Sequence, residues 1–208
     1  MYTPPHIRRA TWAAAAALAA GFVVAPSAHA GPLVAAAPSC DTQVLDEPFL
    51  PWADPASYTL VPNGTVEATR KWSLDGAAPV PGNEKFYVNA KDDTTALRLP
   101  AGSSATTPVI CVGIEHPTLR FFARNRGSLL SALLVEVRWE DASGHVWETP
   151  IGVVSANDGW APTLPFPIVV NLLPLLPGEK TPVAFQFTVL GDGDWRIDDV
   201  YCDPWRHG

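Results

Sequence analysis

Charge is scarce in this chain. Only 17% of its 208 residues are Asp, Glu, Lys or Arg, and 14 basic residues face 21 acidic ones, a formal charge of −7. Without clustered Lys and Arg to neutralise phosphates, the sequence argues against a nucleic-acid binder. Methionine occurs once, as residue 1, and cysteine three times, with no pair at the short spacing of a zinc site or a redox Cys-x-x-Cys. Metal–thiolate chemistry therefore has no support. Catalytic signatures are missing too. Gly102-Ser103-Ser104-Ala105 is not a Gly-x-Ser-x-Gly elbow, and His116, His145 and His207 share no ligand spacing. Glu136, Glu140 and Glu148 read as solvated outward acids, so no enzyme is expected. A glycosidase-like hydrolase stays as a third reading only because paired carboxylates can cleave glycosides.

Proline is abundant instead, at 22 residues, with 15 Gly, 8 Trp and 47% apolar residues. Interior prolines remove backbone donors and break helices, which argues against a helix bundle. That much apolar and aromatic mass also argues against disorder. The expectation is an all-β, two-sheet antiparallel β-sandwich of the jelly-roll kind, in one domain. Short strand-like runs recur between Gly, Pro, Asn and Asp: 58–61, 84–88, 96–99, 109–113, 118–124, 133–139, 146–149, 168–172, 183–190 and 195–201. In the clearest of them Leu133, Val135, Val137 and Trp139 alternate with Glu136, Arg138 and Glu140. Val183, Phe185, Phe187 and Val189 alternate with Ala184, Gln186 and Thr188, and Leu119, Phe121 and Ala123 with Arg120 and Arg124. Period two with one polar face marks half-buried antiparallel strands. Asp141-Ala142-Ser143-Gly144 predicts a hairpin turn. Six prolines between Pro162 and Pro182 predict an edge strand inside a long excursion at the rim.

Residues 1–30 form a cleavable export signal in this reading. Arg8 and Arg9 precede an apolar, Ala-rich stretch, and Ala28-His29-Ala30 puts small residues at −3 and −1 of a cut before Gly31. The stretch is too short to span a bilayer comfortably, so no membrane span is expected after cleavage. Losing Arg8 and Arg9 and no acid would move the formal charge from −7 to −9. Residues 31–48 then read as a flexible Ala- and Pro-rich arm that orders near Cys40, and 49–208 as the sandwich domain. The protein is thus expected to be secreted. In an oxidising compartment three thiols allow one bridge and one leftover. Cys40–Cys111 would pin the arm to the body, with Cys202 free and buried; Cys40–Cys202 would instead tie the chain ends together.

Two segments carry a resemblance. Leu60-Val61-Pro62-Asn63-Gly64-Thr65-Val66-Glu67, with Trp72 just after, and Trp195-Arg196-Ile197-Asp198-Asp199-Val200-Tyr201 resemble the start and finish of jelly-roll carbohydrate-binding modules and their galactose-binding-like relatives. The chain between, with the run from Gly113 to Phe122, is similar to secreted actinobacterial proteins of unassigned function. The resemblance implies that the first and last strands lie side by side, with a structural calcium near their ends. Calcium takes six to eight hard oxygen ligands, and by resemblance Glu67 and Asp199 would give carboxylates and Thr65 a backbone carbonyl. Val66 stands where the family usually has an aromatic residue.

Sugar binding relies on aromatic faces stacking on apolar sugar surfaces. Trp139, Trp72 and Trp195 read as core, whereas Trp147 at the hairpin and Trp160 in Asn157-Asp158-Gly159-Trp160 are the two candidate platforms. The leading expectation is a non-catalytic module whose partner is an extracellular glycan or another extracellular ligand. The second is an interaction protein contacting a cell-envelope component without recognising sugar.

Overall fold

The computed structural model describes residues 30–40, 43–113, 117–168 and 180–203. Residues 1–29 of the expected export signal (1–30), His116, His207, Trp205 and most of the expected strand at 168–172 lie outside the described residues.

Among the described residues, a short helix, α1 (Pro32–Ala36), precedes thirteen strands. They are β1 (Thr59–Leu60), β2 (Ser73–Asp75), β3 (Ala78–Pro81), β4 (Thr95–Pro100), β5 (Ser104–Thr106), β6 (Ile110–Gly113) and β7 (Thr118–Asn125). Then follow β8 (Ala132–Glu140), β9 (Val146–Ser155), β10 (Ala161–Pro162), β11 (Phe166–Pro167), β12 (Lys180–Leu190) and β13 (Asp194–Asp203). They form the expected two-sheet antiparallel sandwich. The first sheet runs β10-β7-β13-β4-β3, with β1 on β13 and β11 on β7; the second runs β2-β5-β12-β8-β9, with β6 on β12. Among the described residues, no helix is long and apolar enough to cross a membrane.

The alternating rows read from the sequence become the seam between the sheets. β12 and β8 pair from Val183↔Trp139 to Leu190↔Ala132, which brings Phe185 against Val137 and Phe187 against Val135 on one face. These side chains are buried with Leu119, Phe121, Trp195 and Ile197 from the first sheet. Phe121 and Phe187 meet across the gap, edge to face at 5.0 Å. The Trp195 indole N–H donates to Ser131 Oγ at 2.9 Å, so the buried polar tip is satisfied.

The outward rows are where the structure departs from the alternation, because both outer faces are partly covered. Over the first sheet, residues 46–60 lay down Phe49, Trp52 and Tyr58 against Phe122, Trp160 and Tyr201. Phe49 stacks on Phe122 at 5.6 Å. Arg120, outward by pattern, is buried there: its guanidinium lies 4.2 Å from the centre of the Phe49 ring, pairs with Asp54 and donates through Nε to the Thr163 carbonyl at 2.9 Å. Over the second sheet sits the N-terminal arm. Leu33 of α1 is buried with Val109 and Ala184, and Glu140 is buried beneath the chain that leads into the helix. The arm, expected to order only near Cys40, thus begins as a docked helical turn. Periodicity could not show a helix of five residues, which has room for only one inward side chain.

Residues 84–88, expected as a strand, form a turn. The Glu84 carboxylate accepts the backbone N–H groups of Phe86 and Val88, donors a strand would spend on a neighbour. The strands at 73–75, 78–81, 104–106, 161–162 and 166–167 have two to four residues each, too short for a period to register. The hairpin at 141–144 forms as expected, with the Gly144 N–H donating to the Asp141 carbonyl at 2.9 Å and Gly144 at φ +82°.

Candidate functional site

The two segments that carried the resemblance meet in space. β1 pairs with β13 through Thr59↔Cys202 and Leu60↔Tyr201, so the first and last strands are neighbours. Just beyond, the Val61 N–H donates to the Val200 carbonyl at 2.9 Å and the Val200 N–H to the Gly64 carbonyl at 3.0 Å. Glycine is required at 64, since a Cβ there would lie 2.6 Å from the Val200 carbonyl oxygen and 2.8 Å from that of Val61. This docking coincides with a bulge in β13: Asp198 pairs with Phe122 and Tyr201 with Arg120, leaving one extra residue on β13. Asp199 lies in the bulge with φ +46°. Val66 is also left-handed, at φ +60°, an unusual conformation for a β-branched residue.

The bulge gathers acidic groups. The Asp198 carboxylate accepts the Glu84 N–H at 2.9 Å and the Asp199 N–H at 3.0 Å. Asp199, 1% exposed, has no hydrogen-bond partner for either carboxylate oxygen. Burial, then the Asp199 charge, pushes the Asp198 carboxyl up to about 9. Burial, then the charges of Glu84, Asp93 and Glu67, pushes Asp199 up to about 8. Glu67 is exposed, and its carboxylate accepts the N–H groups of Thr94 and Thr95, both at 2.6 Å, as well as their hydroxyls. Thr65 lies half-buried in the turn between Gly64 and Val66. Among the described residues, no group of three or more His, Cys, Asp or Glu side chains is placed to hold a metal.

The two Trp platforms part company. Trp147 is 47% exposed at the start of β9, the edge strand of the second sheet. One face of its indole stacks on Trp139 with centroids 6.0 Å apart, the two lying directly opposite across β8 and β9. Its N–H donates to Asp141 Oδ2 at 2.8 Å, and the His145 ring stands edge-on at 4.8 Å. Asp141 Oδ1 also accepts from the Ser143 N–H and hydroxyl and the His145 N–H. Those bonds, the Ser143 hydroxyl and the indole first, hold the Asp141 carboxyl far below the usual range. Trp160, expected at the surface, is corrected: it is 8% exposed and packs in the cluster over the first sheet under the Arg124 guanidinium, 4.9 Å from the ring centre. The chain turns Trp160 inward because Ala161 and Pro162 pair with β7 immediately after it.

Of the outward acids on the second sheet, Glu148 is exposed and Glu136 half-buried, and only Glu140 departs from the solvated reading by being buried. Glu148 pairs with Arg138 at 3.1 Å, and Glu136 is raised by partial burial and then by the Glu148 charge. Glu140 is turned under the arm. The arm itself walls two grooves. One of about 660 Å³ lies against the second sheet, with Lys71, Ser73, Thr106 and Arg138 in its lining. The other, about 510 Å³, lies beside Asp46, Tyr58, Asn89 and Tyr201. The bridge that fixes the arm is Cys40–Cys111, and Cys202 is a buried free cysteine whose thiol is pushed up by burial.

No family model matches the chain, and no curated protein matches its sequence. Solved structures give distant likenesses. The enzymatically active domain of tailspike protein 4 from bacteriophage CBA120 is 19% identical at a TM-score of 0.47, covering 68% of this chain and 21% of that one. The CBM22-1–GH10 modules of Clostridium thermocellum xylanase 10B, solved with xylohexaose, are 14% identical at 0.48, covering 72% of this chain and 29% of that one. The family 11 carbohydrate-binding module of the same organism, solved with a mixed-linked tetrasaccharide, is 11% identical at 0.44, covering 69% and 95%. The chain thus spans less than a third of the length of the first two. Likenesses this distant assign neither a family nor a ligand to it.

Proposed function

We propose that the protein is an exported, non-catalytic β-sandwich module that binds an extracellular glycan through Trp147. The carrying observation is a pre-organised aromatic face. Trp139 supports one side of the Trp147 indole and Asp141 fixes its rotation, so the ring loses little freedom on meeting a ligand. An exposed, immobilised indole with hydroxyl, imidazole and carboxylate groups at its rim matches what a pyranose presents: an apolar face bordered by hydroxyls. Export is supported by the Cys40–Cys111 disulfide, a bond that persists in oxidising compartments.

The same reading includes a structural calcium at the β13 bulge. The donors there are hard oxygens throughout, and Asp199 offers a buried carboxylate with neither oxygen engaged, which fits a calcium ion. Asp199 would hold it, with Glu67 and the Thr65 carbonyl as the further ligands that the resemblance implies. The ion would neutralise charge and staple the chain ends rather than enter chemistry. A glycan array followed by isothermal titration tests the main proposal. Binding should weaken tenfold or more in Trp147→Ala, a loss of at least about 1.4 kcal/mol. Undiminished binding in that variant, or no glycan bound by the wild type, would refute it.

A further inference from the structure

We propose that Glu140 is the receptor for the α-ammonium group created when the chain is cut between Ala30 and Gly31. The inference rests on the export reading and goes beyond it, because it gives the new chain end a binding site. Three backbone N–H groups converge on the Glu140 carboxylate: Gly31 on Oε1 at 2.6 Å, and Leu33 and Val34 on Oε2 at 2.9 and 3.2 Å. Glu140 closes β8 on its outward face and is buried by the arm it holds. A buried carboxylate served by neutral donors alone recovers only part of what it loses on leaving water; a cation at the same distance recovers more. The nitrogen closest to it is the one that hydrolysis would charge.

Gly31 is fitted to that role. A Cβ at this position would lie 2.6 Å from Glu140 Oε1 and 2.7 Å from the Gly144 carbonyl oxygen, so only glycine can bring its nitrogen onto the carboxylate. Its own carbonyl accepts the Ala35 N–H at 3.0 Å, which anchors the residue from the other side. Ala30, immediately before, is exposed, so the bond to be cut is at the surface. Among the described residues, the titratable and charged groups on the elements beside the site include Asp141, His145 and Arg138. Asp141 and His145 belong to the turn that carries Gly144, and their contacts run to Ser143 and Trp147. Arg138 shares the outward face of β8 and pairs with Glu148.

The step balances with water as co-reactant and an endoprotease of the export machinery that cuts after small residues. Water adds its hydroxyl to the Ala30 carbonyl carbon, the C–N bond to Gly31 breaks, and the departing nitrogen takes one proton from that water and a second from solvent. A neutral amide donor at 2.6 Å from Glu140 Oε1 is thereby replaced by a full positive charge.

The test has two parts. Intact mass and N-terminal sequencing of the exported protein should give Gly31 as the first residue. Chains starting at Gly31, labelled with 13C-glycine, should then show the α-amine titrating at least about one pH unit above the usual 7.7–8.0. In Glu140→Gln the midpoint should return to that range. A chain retaining Ala30 keeps every side chain and should melt several degrees lower than the Gly31 form. Equal α-amine midpoints in wild type and Glu140→Gln, or equal melting of the two starts, would overturn the receptor. A leader still attached would overturn the export reading, and with it the cut. A mature start at another residue would overturn the cut alone.

Discussion

Replacing Asp199 with asparagine keeps the shape of the side chain and removes one charge from the β13 bulge. Asparagine tolerates the left-handed φ of +46°, so the backbone imposes little penalty of its own. The charge is the larger matter. Burial, reinforced by Glu84, Asp93 and Glu67, raises this carboxyl from 3.8 to about 8, whereas in the unfolded chain it is ionised at pH 7. Folding at that pH without a cation must take up a proton, which at 1.36 kcal/mol per tenfold costs about 4 kcal/mol. The sign follows. A group raised on folding contributes stability below its unfolded value near 4, and loses it as pH climbs through about 8. The asparagine variant escapes that cost but leaves its own buried amide unpartnered, about 1–3 kcal/mol. The net gain is about 1–3 kcal/mol in the presence of a chelator, or about 2–12 °C in melting temperature for a domain of this size. If the proposed calcium site forms, the order should reverse in millimolar calcium, because the wild type would gain a ligand that binds only the folded state and the variant would not. Scanning calorimetry of both proteins at pH 7, with EDTA and with calcium, reads both signs. A variant that melts below wild type in EDTA would refute the argument that the Asp199 charge is uncompensated, and an unchanged order in calcium would remove the ion.

Other substitutions probe other parts of the molecule. Trp147→Ala removes a half-exposed ring that stacks on Trp139 and bonds Asp141 and should lower the melting temperature by about 2–6 °C; loss of glycan binding in a variant that keeps the native circular-dichroism spectrum at assay temperature would then report on recognition rather than folding. Cys40→Ser should lower stability by about 4 kcal/mol, because the bridge closes a separation of 71 residues in the unfolded chain; denaturant titration of the reduced and oxidised protein measures it, and no difference would show that the arm is held by packing alone. Asp54→Asn leaves the Arg120 guanidinium buried with its ion pair broken, and urea unfolding should report a loss of about 3 kcal/mol, with a near-neutral result refuting the claim that Arg120 depends on that partner.

The long strands were legible in the sequence because they obey one rule along their whole length. β8 and β12 alternate so regularly that their inward rows could be named residue by residue. What the alternation could not show was a second covering layer. Arg120, Glu140 and Ala184 are outward in period and buried in fact, because residues 46–60 and the arm lie over them, and such cover depends on contacts between segments far apart in the chain. At the bulge, the resemblance brought Asp199 to attention and the spatial pairing of β1 with β13 followed. The part played by Glu84 was not legible, since a Glu that spends its carboxylate on its own turn looks like any strand-flanking acid. Trp147 and Trp160 were equivalent as letters, both next to turns. Only the pairing of Ala161 and Pro162 with β7 turns one of them inward.

The position of β13 has a consequence for how the molecule comes to be made. It runs between β7 and β4, so the first sheet has a gap at its centre until the stretch from Asp194 to Asp203 has emerged. A chain threaded outward from its N-terminus would show β7 and β4 as two open edges for as long as that stretch is still inside, a state prone to pairing with the wrong chain. Cys202 travels on the missing strand. Cys202 is the last of the three thiols in chain order, and in the folded sheet it is buried and unbridged, whereas Cys40 and Cys111 are joined. An order of appearance of this kind would favour the Cys40–Cys111 bridge, because Cys202 reaches either partner only after both have been exposed together.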